Sequence, residues 1–122
     1  MTSRAARLTE ILNDLRSSSP DVVGAAVVSV DGFVMASVLP SEREEDVLSG
    51  LSAAMLGIGE RISRELLRSD LKQIFVRGDN GYVLLNGAGR EAILVTLLNA
   101  KAKLGLVFLD SARAAHAIEG IL

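Results

Sequence analysis

Few residues in this sequence have the type and spacing that chemistry requires. Asp31 and Asp110 are carboxylates, and His116 is the sole imidazole. General acid–base catalysis needs a second group placed to take or return the proton. Neither aspartate has a base beside it, so Asp31 reads as a turn residue and Asp110 as a surface one. His116, in the run Ala114-Ala115-His116-Ala117, sits on a helix flank, where packing or exposure accounts for it without ligation. The chain has no cysteine, which removes disulfides, thiolate zinc sites and thiol nucleophiles and leaves the redox compartment open. Gly87-Ala88-Gly89-Arg90 would offer backbone amides and a guanidinium to an anion, but glycines at that spacing between strands read first as a turn. No glycine-rich loop ends in a lysine, and Lys101 and Lys103 lie outside any such pattern, so nucleotide hydrolysis by this chain is not expected. Phe33, Phe75, Tyr82 and Phe108 are too scattered to stack nucleic-acid bases. Thirteen Lys and Arg against fifteen Asp and Glu give a net charge of −2, which supplies no long-range pull toward a phosphate backbone. The expectation is therefore a binding protein: no catalytic residue, no cofactor, no metal and no nucleic-acid partner.

The elements that would hold a binding surface follow from periodicity. Ala5, Leu8, Ile11, Leu12 and Leu15 recur at helical spacing and predict an amphipathic helix from Arg4 to Ser19, ended by Pro20. Val22–Val30 and Phe33–Leu39 predict two strands joined by a two-residue Asp31-Gly32 turn. Ser41 and Glu44 have capping-box spacing and open a long helix over about Glu44–Arg68. Leu71–Arg77, Tyr82–Gly87 and Glu91–Leu98 then predict an antiparallel meander. Several strands are apolar on both faces, as in Ile93, Val95 and Leu97 against Leu94 and Leu98, which implies a sheet covered on both sides. Leu104–Leu109 suits a buried strand by composition. However, Phe108, Ala112, Ala115, Ile118 and Leu122 share a helical stripe, which extends the last helix back to Leu104. The 122 residues thus predict one domain, 1–122, of α/β (α+β) class, a three-layer sandwich in the order α-β-β-α-β-β-β-α. No apolar run approaches the roughly 20 residues that span a bilayer, so a cytoplasmic protein without membrane insertion is expected.

The second helix is the informative segment. Val47, Leu48, Leu51, Ala54, Met55, Ile58, Ile62 and Leu66 form one apolar stripe, predicted to pack on the sheet. The opposite side carries Ser49, Ser52, Ala53, Leu56 and Ser63, with no charge between Val47 and Gly59. Either the helix is enclosed by its own domain, or this face meets a second copy about a two-fold axis. A domain with three helices and one sheet rarely encloses a central helix, which favours the second copy. A mean hydropathy of +0.37 in so small a chain points the same way. Glu45 at one end, and Glu60, Arg61 and Arg64 at the other, would form polar rims for a further partner.

Four stretches together resemble the Roadblock/LC7 family, and the prokaryotic, MglB-like branch in particular. They are VGAAVVSVDGFVMA from Val23 to Ala36, AAMLGIGERI from Ala53 to Ile62, GYVLL from Gly81 to Leu85, and AKAKLGL from Ala100 to Leu106. None is sharp alone; their order and spacing carry the resemblance over nearly the whole chain. It implies a profilin-like, five-stranded antiparallel sheet with the first and third helices on one face and the second on the other. It also implies a homodimer built by the second helix and second strand, assigning Phe33, Met35 and Ser37 to the strand edge and Ser49, Ser52, Ala53 and Leu56 to the helix seam. The implied function is a non-catalytic regulator that binds a Ras-like small GTPase and modulates its GTP cycle, as a GTPase activator or regulatory subunit. In one mode known in the family the dimer supplies no catalytic arginine and reshapes the partner's switch regions, and Arg61, Arg64 and Arg90 are the residues to test as fingers. The alternative is a scaffold or adaptor subunit of a signalling or motor complex with no effect on nucleotide turnover. A third reading is a sensor that holds a small ligand on the sheet.

Overall fold

The computed structural model describes residues 2–122; Met1, the first residue of the expected 1–122 domain, lies outside the described residues. The first helix, α1 (Arg4–Ser18), starts where the Ser3 hydroxyl accepts the Ala6 amide at 3.1 Å. It buries Leu8, Leu12 and Leu15, one apolar residue per turn. Five strands follow: β1 (Val22–Ser29), β2 (Val34–Val38), β3 (Gln73–Gly78), β4 (Gly81–Ala88) and β5 (Ala92–Asn99). Helix α2 (Glu42–Ile62) runs between β2 and β3, and helix α3 (Leu104–Ile121) closes the chain. The element order is the expected one, and 104–109 is helix rather than strand.

All neighbouring strands are antiparallel, in the order β2-β1-β5-β4-β3, so β2 and β3 are the edges. Alternation along the strands sends Ala25, Val27, Leu84, Leu94 and Leu98 into one core, with α1 and α3. It sends Ala26, Val28, Leu85, Ile93 and Val95 into a second core beneath α2. Both sides of the sheet are covered, as the two-sided apolar strands predict.

Two expectations about the first hairpin are corrected. The connection is four residues, 30–33, rather than the Asp31-Gly32 pair, and β2 starts at Val34. Ser29 organises it: its carbonyl accepts the Gly32 amide at 2.9 Å and its hydroxyl accepts the Phe33 amide at 3.0 Å. Gly32 takes φ +93°, a conformation that side-chain-bearing residues resist. Phe33 therefore lies in the turn, 71% exposed, and not in the edge strand. Val27 pairs with Ala36 and Val28 with Val34, which leaves Met35 as the extra residue of a bulge. At the next turn, a side chain on Gly81 would collide with the Leu98 carbonyl oxygen, so only glycine lets β4 begin so close to β5.

A polar contact that sequence reasoning did not anticipate ties the two ends of this framework together. Asp21, just before β1, accepts the Lys103 amide at 3.2 Å and the Asn99 side-chain amide at 3.3 Å, fixing the entry into α3. Asp110 is not simply a surface residue: it is half-buried and accepts the hydroxyl of Ser19, joining α3 to the end of α1. Among the described residues no helix is long and apolar enough to cross a membrane.

Candidate interaction site

Helix α2 is capped at its start and held to the sheet side at three places, and these decide which face it presents. The Ser41 hydroxyl accepts the Glu44 amide at 3.4 Å at the helix start. The Ser37 hydroxyl of β2 donates to the Glu45 carboxylate at 2.8 Å. A side chain on Gly32 would come within 3.5 Å of the Ala53 methyl, so the first hairpin turn rests on the helix. Farther along, a side chain on Gly59 would lie 2.8 Å from the Ile74 methyl end, so the helix presses close to β3. The helix then runs into one π-helical turn, Ser63–Leu67, and Arg68 stops it with φ 51°. Ser63 pins this end, its hydroxyl donating to the Ser69 carbonyl at 2.9 Å.

These restraints turn the small, uncharged side of α2 inward, opposite to the sequence expectation. Ser52 is 2% exposed and Ser63 4%, so neither has surface to offer a second copy. Leu56 packs into the second core with Leu48 and Met55. Ser49 and Ala53 are half-buried, and the Ser49 hydroxyl returns to the Asp46 carbonyl at 3.1 Å. Of the stripe expected on the sheet, only Leu48 and Met55 reach it. Close approach at Gly32 and Gly59 fixes this rotation, which brings Ser52 beneath the helix and leaves Leu48, Met55 and Leu56 to fill the layer.

Outward instead face Val47, Leu51, Ala54, Ile58 and Ile62, with Leu51 58% and Ile58 63% exposed. At about 100° per residue these five fall within roughly 80° of arc and extend roughly 22 Å along the helix. Leu66 and Leu67 of the π-helical turn prolong the apolar surface. Around the flank toward β3 it continues into a mostly apolar groove of about 550 Å³, bordered by Ile58, Ile62, Leu67, Leu71 and Ile74. A contiguous exposed apolar stripe of this kind marks an interaction surface.

The rim residues are placed as follows. Glu60 pairs with Arg64 at 3.7 Å and Arg61 with Glu65 at 3.5 Å, both within the helix and exposed. Glu45 is engaged by Ser37. On the edge strand, Ser37 faces α2 while Met35 packs toward the α1–α3 core. Among the described residues no three His, Asp or Glu side chains gather where a metal ion would be held, and His116 is exposed on α3. What the arrangement offers is a docking surface framed by ion pairs.

The family model of the Roadblock/LC7 domain matches residues 8–98. An uncharacterised protein of Methanocaldococcus jannaschii is 39% identical over 100 residues, covering 82% of this chain and 84% of that protein. An MglB in a tetrameric arrangement superposes with a TM-score of 0.90 at 24% identity, over 99% of this chain and 91% of its own. The gliding protein MglB of Thermus thermophilus gives 0.89 at 23% identity, over 99% and 92%. At these identities the solved structures establish a common fold, which is also that of the profilins.

Proposed function

The chain belongs to the Roadblock/LC7 family, and we propose that it is a non-catalytic homodimeric regulator that binds a Ras-like small GTPase in the cytoplasm and modulates its GTP cycle. The observation that carries this reading is the outward stripe Val47–Leu51–Ala54–Ile58–Ile62. A single apolar, charge-free stripe is self-complementary: about a two-fold axis each copy offers the other the same surface. The edge strand β2 beside it is unpaired on its outer side and available to extend the sheet across the same axis. The GTPase follows from the family resemblance, and the polar rims of Glu60, Arg61 and Arg64 fit a partner that reads a charged switch surface. Arg61 and Arg64 are each paired with a glutamate one helical turn away, which favours a regulator that biases the partner's conformation over one that inserts a guanidinium. The mechanism is then population shift: the dimer favours the partner conformation it binds more tightly, by that difference in affinity.

The test has two stages. Light scattering should give a dimer for the native chain and a folded monomer for Leu51→Asp or Ile58→Asp. A native monomer, or variants of unchanged mass, ends the seam argument. Affinity capture from lysate with GTPγS or GDP should then enrich a Ras-like GTPase in one nucleotide state. Capture of a kinase or motor component regardless of nucleotide would select the scaffold instead.

A further inference from the structure

A second cavity, of about 470 Å³, opens at the end of the sheet where the β4–β5 turn, the segment 70–74 and the C-terminal part of α2 meet. That volume lies within the roughly 300–1,000 Å³ of small-molecule sites. Leu85 and Ile93 underlie its floor but are sealed, and the half-buried Leu56, Leu71 and Ile74 form its apolar walls. The floor stays open because of Gly87. It follows Leu85 by two residues, so it faces the same side of the sheet, and it pairs with Ile93. A side chain there would meet nothing within 4 Å.

Five charged side chains line the cavity, brought from separate parts of the chain. Glu60 and Arg64 satisfy one another at 3.7 Å. This leaves Asp70 against Lys72 and Arg90, which form no ion pair among the described residues. The unmatched balance is one positive charge beside the apolar walls. A dianion would exceed that charge and crowd Asp70; a neutral apolar molecule would leave both cations unanswered.

We propose that this cavity binds a small organic monoanion with an apolar body, such as a medium-chain carboxylate, whose head meets Lys72 and Arg90 and whose body lies against Leu56, Leu71 and Ile74. The cavity lies off the outward stripe of α2 but shares Glu60 and Arg64 with the rim proposed for the GTPase, so ligand binding is read on the chain without a partner. Because α2 forms one wall, occupancy would bear on how firmly that helix is seated.

Sodium octanoate is the probe, followed by amide NMR of the full chain. The expected result is saturable binding with shifts centred on residues 85–93. Octan-1-ol and acetate, which lack the head or the body, should each bind at least about tenfold more weakly. Arg90→Gln, in an exposed turn, should weaken octanoate about tenfold. Gly87→Leu should abolish saturation by occupying the space; if it unfolds the chain, Arg90→Gln decides. The proposal is overturned by absence of saturation, by octanol binding as well as octanoate, by shifts confined to the Val47–Ile62 stripe, or by an Arg90→Gln variant that binds normally.

Discussion

Val27 and Val28 are neighbours in β1, both fully buried, and they enter layers of different construction. Val27 meets two helices, α1 and α3, whose Leu8, Leu12, Val107 and Ile118 are sealed. At the β3 edge this layer is closed by Phe75, stacked on Tyr82 at 5.3 Å and edge-on to Phe108 at 5.8 Å. Val28 meets one helix, α2, which leaves a groove on one flank, a charged cavity on the other and Leu51, Ile58 and Ile62 in solvent. Two helices can flank a five-stranded sheet completely, whereas one crosses it and leaves corners. Stability is thereby concentrated on the α1–α3 side, and the surfaces free to bind lie on the α2 side.

The strongest way to break this contrast is to truncate one leucine on each side. Leu94→Ala, at a fully buried position among α1 and α3, should cost about 3–4 kcal/mol of unfolding free energy. Leu48→Ala, at a half-buried position under α2, should cost only about 1 kcal/mol. Urea unfolding measures both, and equal losses would show that the two layers are equally consolidated. Next in size is Ser52→Leu. Because Ser52 is enclosed between α2 and the sheet, the added bulk should cost about 1–3 kcal/mol and loosen the helix. Were Ser52 on a subunit seam, the same change would alter oligomer mass and leave monomer stability intact.

Ser52 also shows where the sequence is readable and where it is not. The order of elements, the two-sided sheet and the start of α3 follow from period and capping, signals carried by residues close together in the chain. The inward face of α2 does not, since between Val47 and Gly59 neither side carries a charge and hydrophobicity cannot orient the helix. Orientation is set instead by close approach at Gly32 and Gly59, a matter of steric size across tertiary contacts. Asp31-Gly32 misled on turn length because the Ser29 hydroxyl and a bulge at Met35 enlarge the connection. Asp21 carries no local signal because its partners, Asn99 and Lys103, are about eighty residues away. The charged cavity is illegible for the same reason, its cations lying at 64, 72 and 90 and meeting only through the fold. Gly87 and Arg90 were visible as a candidate anion motif, but only the sheet alternation shows that Gly87 opens a floor.

The smallest expected effect sharpens the contrast at the end of α2. Arg68 is the non-glycine residue with positive φ among the described residues, and it lies on the α2 side. For a residue with a side chain this left-handed conformation costs roughly 1–2 kcal/mol, of which glycine recovers part while losing about 0.5–1 kcal/mol to unfolded-state entropy. Arg68→Gly should therefore stabilise the chain by about 0.5 kcal/mol, read as a higher urea midpoint at unchanged slope. Hydrogen exchange should place the gain locally, in slower opening of residues 60–69, with the α1–α3 core exchanging as before. A gain shared by both layers would mean that they open as one unit, and the division of labour between the two faces would fail.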